Sequence, residues 1–180
     1  MDFLWSPWRY RYVTGQEPSK PGQHAQSGPG GKTTGCIFCD KLAGPFDVPP
    51  DKRHDEENLI VHRGARAFVL LNLYPYCSGH VMVAPNAHLG SLSEADDATW
   101  QEIASLTKRV EAAIQTAYHP DGVNLGMNLG SAAGAGIADH IHMHVLPRWN
   151  ADTNFMTTIG ETRVLPESLA ETYRKLKSLL

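Results

Sequence analysis

The chain has 180 residues, within the range of one domain, and 42% of them are hydrophobic, which excludes disorder throughout. Sixteen lysines and arginines against nineteen acidic residues leave a formal charge of -3, so the whole protein lacks the basic field that marks a nucleic-acid binder. Its longest unbroken apolar runs, such as 67–71, fall far short of the roughly 20 residues a membrane helix needs, so no membrane partner is expected.

Residues 1–13 carry Trp5, Trp8, Tyr10 and Tyr12, too many aromatics for a free tail, and are expected to dock on the body or on a second subunit. They hold no continuous hydrophobic segment followed by a small-residue cleavage site, so a cytoplasmic location is expected. Residues 14–35, rich in Gly, Pro, Ser, Gln and Lys, read as a flexible loop. The folded domain is expected to span 36–180.

It opens on Cys36-Ile37-Phe38-Cys39. Three cysteines cannot all pair within one chain, and this pair follows a glycine-rich stretch instead of a strand, which weakens a thioredoxin-like redox reading. Two thiolates at this spacing are half of a tetrahedral zinc site; a metal-free pair and redox chemistry are the other readings. Cys77 reads as an unremarkable thiol.

Strand-like runs follow at 59–62, 67–72 and 80–84, separated by short turn signals, as in an antiparallel meander. Ser93 and Asp96 give a capping signal. Trp100, Ile103, Leu106, Val110, Ala113, Ile114 and Ala117 then recur at helical spacing up to the stop His119-Pro120-Asp121-Gly122. That predicts one amphipathic helix of about six turns, its apolar stripe facing the core. Two further strands are expected at 123–129 and 140–146. Pro166 opens a C-terminal helix with Leu169, Tyr173, Leu176 and Leu180 on one face. The fold class is α+β: an antiparallel sheet of about five strands with one long helix and a C-terminal helix.

His140, His142 and His144 alternate with Ile141, Met143 and Val145. In a strand, residues i, i+2 and i+4 share a face, so the three imidazoles should project together and the apolar residues should enter a core. A plain polar face, a three-histidine metal site and nucleophilic catalysis compete to explain them. The segment 128–136, Asn-Leu-Gly-Ser-Ala-Ala-Gly-Ala-Gly, favours the third, because small residues leave backbone N–H groups able to line an anion site beside the imidazoles. A neutral imidazole with a pKa of about 6.5 is a competent nucleophile at pH 7. A protonated neighbour and aligned N–H groups would stabilise charge developing on phosphate oxygens.

His140-x-His142-x-His144, with Val145 and Leu146 apolar, resembles the motif of the histidine triad family of nucleotide hydrolases and transferases. The resemblance runs over about 36–149, through 68–75, Ser78-Gly79-His80 and 128–136. Trp5-x-Pro7-x-Arg9 and the exit from Pro147-Arg148-Trp149 to Asn154-Phe155-Met156 look like the bacterial branch that includes diadenosine tetraphosphate phosphorylases.

The resemblance implies catalytic roles for His142, His144, His80 and His140. His142 would attack the α-phosphorus to form a nucleotidyl-imidazole, with His144 and His80 beside the phosphate. Leu70 and Leu73 would flank the base and Asn72 would meet ribose. Asn128, with the backbone of Ala135 and Gly136, would hold phosphate oxygens. Cys36, Cys39, His88 and His140 would bind a structural zinc, and no organic cofactor is implied.

The implied substrate is a purine nucleotide or dinucleoside polyphosphate, first diadenosine tetraphosphate, with inorganic phosphate as acceptor, ADP and ATP as products and a homodimer as the assembly. Arg148 or a protonated histidine would neutralise the incoming phosphate. Hydrolysis of dinucleoside polyphosphates or nucleoside phosphoramidates, and nucleotide binding with negligible turnover, are the alternatives. Many relatives carry Ser or Thr where this chain has Ile137, which puts in doubt a hydroxyl that assists the leaving group. Retention of His144 argues against the uridylyl-transferring branch, which has Gln there.

Overall fold

The computed structural model describes residues 35–42, 54–160 and 164–180. The aromatic segment 1–13 and the loop 14–35, apart from Gly35, lie outside the described residues.

Five strands form one antiparallel sheet: β1 (Ile60–Arg63), β2 (Ala67–Leu71), β3 (Val81–Pro85), β4 (Gly122–Gly126) and β5 (Met143–Arg148), in the spatial order β1-β2-β3-β5-β4. The described helices are α1 (Ile37–Leu42), α2 (Asp97–Tyr118), α3 (Phe155–Thr158) and α4 (Leu169–Lys177). None of them is long and apolar enough to cross a membrane.

Every residue of β2 and β3 is buried, so both faces of the central sheet are covered. Strand alternation sorts them into two cores. Ala67, Val69, Leu71, Val81, Val83 and Val145 meet Ile103, Leu106, Val110 and Ile114 of α2 and Tyr173 and Leu176 of α4. Phe68, Leu70, Met82 and Ala84 face the other way, against Phe38 and Leu42 of α1. Burying each large side chain stabilises by about 1.5–3 kcal/mol, so the six-residue α1 is held by its contacts and not by its own propensity.

Helix α2 begins at Asp96, whose carboxylate accepts from Thr99 N–H at 2.7 Å, and ends at His119 in the left-handed region with φ 45°. Ser93 lies in a separate short turn at 92–94. Thr99 and Thr107 join the buried stripe, whereas Trp100, one residue out of phase with Thr99, is 39% exposed. Ser168 caps α4, its hydroxyl accepting from Glu171 N–H at 3.3 Å.

The expected strand over 140–146 is displaced: β5 starts at Met143, so His140 and His142 stand in extended chain just before it. Likewise β4 stops at Gly126. Gly130 and Gly134, at φ 79° and 90°, then fold the chain around a short turn at 131–133. Register pairs His144 with Met82 and Gly126, placing it on the sheet face away from α2, and His80 immediately precedes β3.

Candidate active site and metal centre

The triad keeps one side although only His144 lies in a strand. Phe38 stands 5.0 Å from the His140 ring and 4.8 Å from that of His142 between centroids, His142 stands 4.8 Å from His144, and His144 stands 5.1 Å from His80. The chain is pinned at the head of this row by Ile141 N–H, which donates to the Leu89 carbonyl at 2.8 Å. All four imidazoles are less than 10% exposed.

The hydrogen-bond partners decide which nitrogens carry protons, because a backbone carbonyl can only accept and a backbone N–H can only donate. His142 Nδ1 lies 2.9 Å from the His140 carbonyl and must donate to it, so in the neutral ring Nε2 is an unprotonated lone pair. Nε2 makes no hydrogen bond among the described residues. The Tyr76 N–H donates to His80 Nδ1 at 3.1 Å, which leaves the proton of His80 on Nε2. That Nε2–H donates to His144 Nδ1 at 2.9 Å and so places the His144 proton on Nε2. His144 Nε2 is fully buried without a partner. An unpartnered buried N–H beside a bare nucleophilic nitrogen is an arrangement awaiting an acceptor-rich ligand.

Burial pushes the pKa of His142 down from the usual imidazole value, and burial, with the repulsion a protonated His142 would add, brings His144 to about 4. Both rings are therefore neutral at pH 7. The expected protonated neighbour is replaced by a neutral N–H donor, because the surroundings of these rings desolvate them.

His140 sits at the opposite end. Its Nε2–H donates to the Pro85 carbonyl at 2.9 Å, so its Nδ1 presents a lone pair 3.3 Å from Cys36 Sγ and 3.6 Å from Cys39 Sγ. His88 Nδ1 is 3.3 Å from Cys39 Sγ, and the ligand atoms of Cys36, Cys39, His88 and His140 all lie within 4.8 Å of one another. In a tetrahedral zinc site with bonds of about 2.0–2.3 Å, neighbouring ligand atoms stand about 3.3–3.8 Å apart. The four residues form a group that could hold a metal ion.

Asn72 Nδ2 is 3.4 Å from His80 Nδ1, while its Oδ1 accepts from Tyr74 N–H at 3.0 Å. Leu70 is buried in the α1 core, and Leu73 is 39% exposed beyond the end of β2. Asn128, Ala135 and Gly136 lie in the loop between β4 and β5. The Asn128 side chain makes no hydrogen bond among the described residues, and Ala135 N–H donates to the Gly130 carbonyl at 3.3 Å. Ile137 packs on the α1 core, which is why an apolar side chain suits that position.

Arg148 is engaged by Asp152 at 2.5 and 2.8 Å and donates to Asn124 at 2.8 Å, so its charge is already paired. Phe38 and Tyr76 were missed in the sequence. The Tyr76 ring stands 4.6 Å from His80 and 6.0 Å from His144. Only the position of Phe38 between the two cysteines could have drawn notice to it.

Residues 53–151 match the HIT domain model. The chain is 37% identical over 173 residues to the AP-4-A phosphorylase of Mycobacterium tuberculosis, covering 96% of this chain and 81% of that protein. It is 30% identical over 117 residues to adenosine 5'-monophosphoramidase of Schizosaccharomyces pombe, covering 65% of this chain and 77% of that one. A Zn-bound histidine triad family protein from Mycobacterium smegmatis superposes with a TM-score of 0.61 at 28% identity, over 80% of this chain and 91% of that chain. The chain belongs to the histidine triad, or HIT, family, and its five-stranded antiparallel sheet with flanking helices is the α+β fold of that family.

Proposed function

We propose that this histidine triad enzyme cleaves a dinucleoside polyphosphate by nucleotidyl transfer through His142, with diadenosine tetraphosphate as its first substrate. The observation that carries this reading is the pair of unengaged nitrogens, the bare His142 Nε2 and the protonated His144 Nε2. The relative at 37% identity named AP-4-A phosphorylase supports the substrate class.

In the first step His142 Nε2 attacks the α-phosphorus. A P–N bond forms, the bond from that phosphorus to the bridging oxygen breaks, and ATP leaves. His142 Nδ1–H remains donated to the His140 carbonyl, which stabilises the positive ring of the intermediate. His144 Nε2–H donates to a phosphate oxygen as charge develops there; one such donor is typically worth about 100- to 1,000-fold in rate. His80 holds His144 in the required tautomer. In the second step an oxygen of inorganic phosphate attacks the same phosphorus, the P–N bond breaks, and ADP leaves. Leu70 and Leu73 would flank the base and Asn72 the ribose. Asn128 and the Ala135–Gly136 backbone would meet phosphate oxygens; with Ala135 N–H already bonded, Gly136 N–H is the available donor there.

The ligand spacing and the donor set of two thiols and two imidazoles suit zinc at Cys36, Cys39, His88 and His140, and the Zn-bound neighbour supports that identity. A metal there supplies folding free energy and stands outside the chemistry. We place the protein in the cytoplasm, where its three thiols, none of them in a disulfide, would stay reduced, and we take the working unit to be a homodimer.

Chromatography of products from diadenosine tetraphosphate, with and without inorganic phosphate, tests the acceptor. ADP and ATP in phosphate buffer are expected. AMP and ATP at equal rates in both buffers would show a hydrolase instead. Single-turnover labelling with α-phosphate-labelled substrate tests the intermediate, and absence of covalent label would overturn it.

A further inference from the structure

The metal centre and the nucleophile share structure at two points. His140 offers its ring Nδ1 to the cysteines and its main-chain carbonyl to His142 Nδ1–H. Phe38, between the two cysteines and 1% exposed, lays its ring against both His140 and His142. The His142 ring is thus tethered at one nitrogen and confined between two aromatic neighbours. Phe38 lies on one side at 4.8 Å with a 38° tilt, and His144 meets it edge-on at 4.8 Å and 73°. That confinement aims Nε2.

Phe38 in turn depends on α1. A helix of six residues is too short to persist on its own. Its C-terminal end is tied by Arg63 Nη1 donating to the Leu42 carbonyl at 3.1 Å and by Lys41 Nζ donating to the Asn58 carbonyl at 3.1 Å. Its N-terminal end has Cys36 and Cys39, so a metal held there would join that end to His88 and His140.

We infer that Phe38 is a positioning residue for nucleotidyl transfer, and that through it and the His140 carbonyl the occupancy of the Cys36, Cys39, His88 and His140 centre sets the reactivity of His142. The inference rests on the reading of His142 as nucleophile and adds to it a metal-dependent control exerted without metal in contact with the substrate.

The test compares wild-type protein with Phe38→Leu, which keeps an apolar side chain of similar volume, and with Phe38→Tyr, which keeps the flat ring. Four quantities are measured on metal-loaded protein: zinc per chain, KM, the single-turnover rate of covalent labelling by α-labelled diadenosine tetraphosphate, and the 15N signals of the His142 ring. Phe38→Leu should retain its zinc and its KM within about twofold, label at least about tenfold more slowly, and show loss of the single Nδ1–H tautomer; Phe38→Tyr should recover most of the rate. If Phe38→Leu does not fold, stepwise zinc removal from wild-type protein replaces it. The labelling rate and the tautomer signal should then fall with zinc content while the far-ultraviolet circular dichroism holds.

Equal labelling rates and unchanged ring signals in Phe38→Leu or in zinc-depleted protein would overturn the coupling. A raised KM at unchanged labelling rate would also overturn it, assigning Phe38 to the nucleotide pocket instead. Absence of label in wild-type protein would remove the nucleophile reading itself, and the inference with it.

Discussion

His140 and His144 stand four residues apart on one side of the chain, yet their surroundings differ at every ring nitrogen. Both nitrogens of His140 face protein groups, the Pro85 carbonyl on one side and the thiols of Cys36 and Cys39 on the other. His144 has its Nδ1 supplied by His80 and its Nε2 buried with nothing to donate to. His142, between them, is satisfied at Nδ1 alone. A closed hydrogen-bond inventory marks the end of the row that holds structure together, and an open one marks the end where a ligand must complete it.

Substitution at each position is the strongest way to break this contrast. His142→Ala should lower turnover at least about ten-thousandfold while the metal stays bound, because the attacking nitrogen is lost and none of the four metal-holding residues is touched. His140→Ala should instead release the metal and destabilise the fold. Turnover numbers and thermal melts of the two variants decide it, and near-native turnover by His142→Ala would sink the assignment.

Next in size is metal removal. Chelation of purified protein should lower the melting temperature by more than about 10 °C, since binding energy at such a centre is folding energy. Elemental analysis should first find one zinc per chain. A metal-free, fully folded and active sample would erase the distinction between the two ends.

Acid sharpens the comparison from the other side. His144 is held at about 4 in the folded chain against 6.5 in the unfolded one, so the unfolded state takes up a proton first. Its neutral ring therefore contributes stability that is fully present above pH 6.5, declines as pH falls, and is lost by about pH 4. Urea midpoints from pH 7 to 4.5 should fall more steeply for wild-type protein than for His144→Asn. Metal release in acid is common to both and cancels in the difference.

The smallest effect is expected at Ile137. Replacing it with Ser should cost about 1–2 kcal/mol of packing against the α1 core while leaving the labelling rate within about twofold. A large rise in rate would show that a hydroxyl at this point assists the leaving group after all.

Much of the framework was legible from local pattern. The strand-like runs at 67–72 and 80–84 fall within a residue of β2 and β3, because a short apolar run bounded by turn residues marks a strand. The stop at His119 follows from the proline and glycine just after it. The turn chemistry between 127 and 142 was not legible, so strand β5 was expected to start three residues early and β4 to end three residues late. Helices α1 and α3 escaped notice because six and four residues are too few to display helical periodicity.

By itself the sequence determined that three imidazoles would share a side and that a Cys-x-x-Cys pair stood ready for a metal, since both depend on spacing along one chain. Only the tertiary structure decided what each imidazole can do. The Pro85 carbonyl and the thiols of Cys36 and Cys39 reach His140, and His80 reaches His144, from segments distant in the chain, and a histidine's tautomer is set by whichever of its nitrogens meets such a partner. The waiting N–H of His144 is a consequence of that packing, while the bare nitrogen of His142 follows from a turn of the chain onto its own carbonyl two residues back, and no spacing of residues announces either.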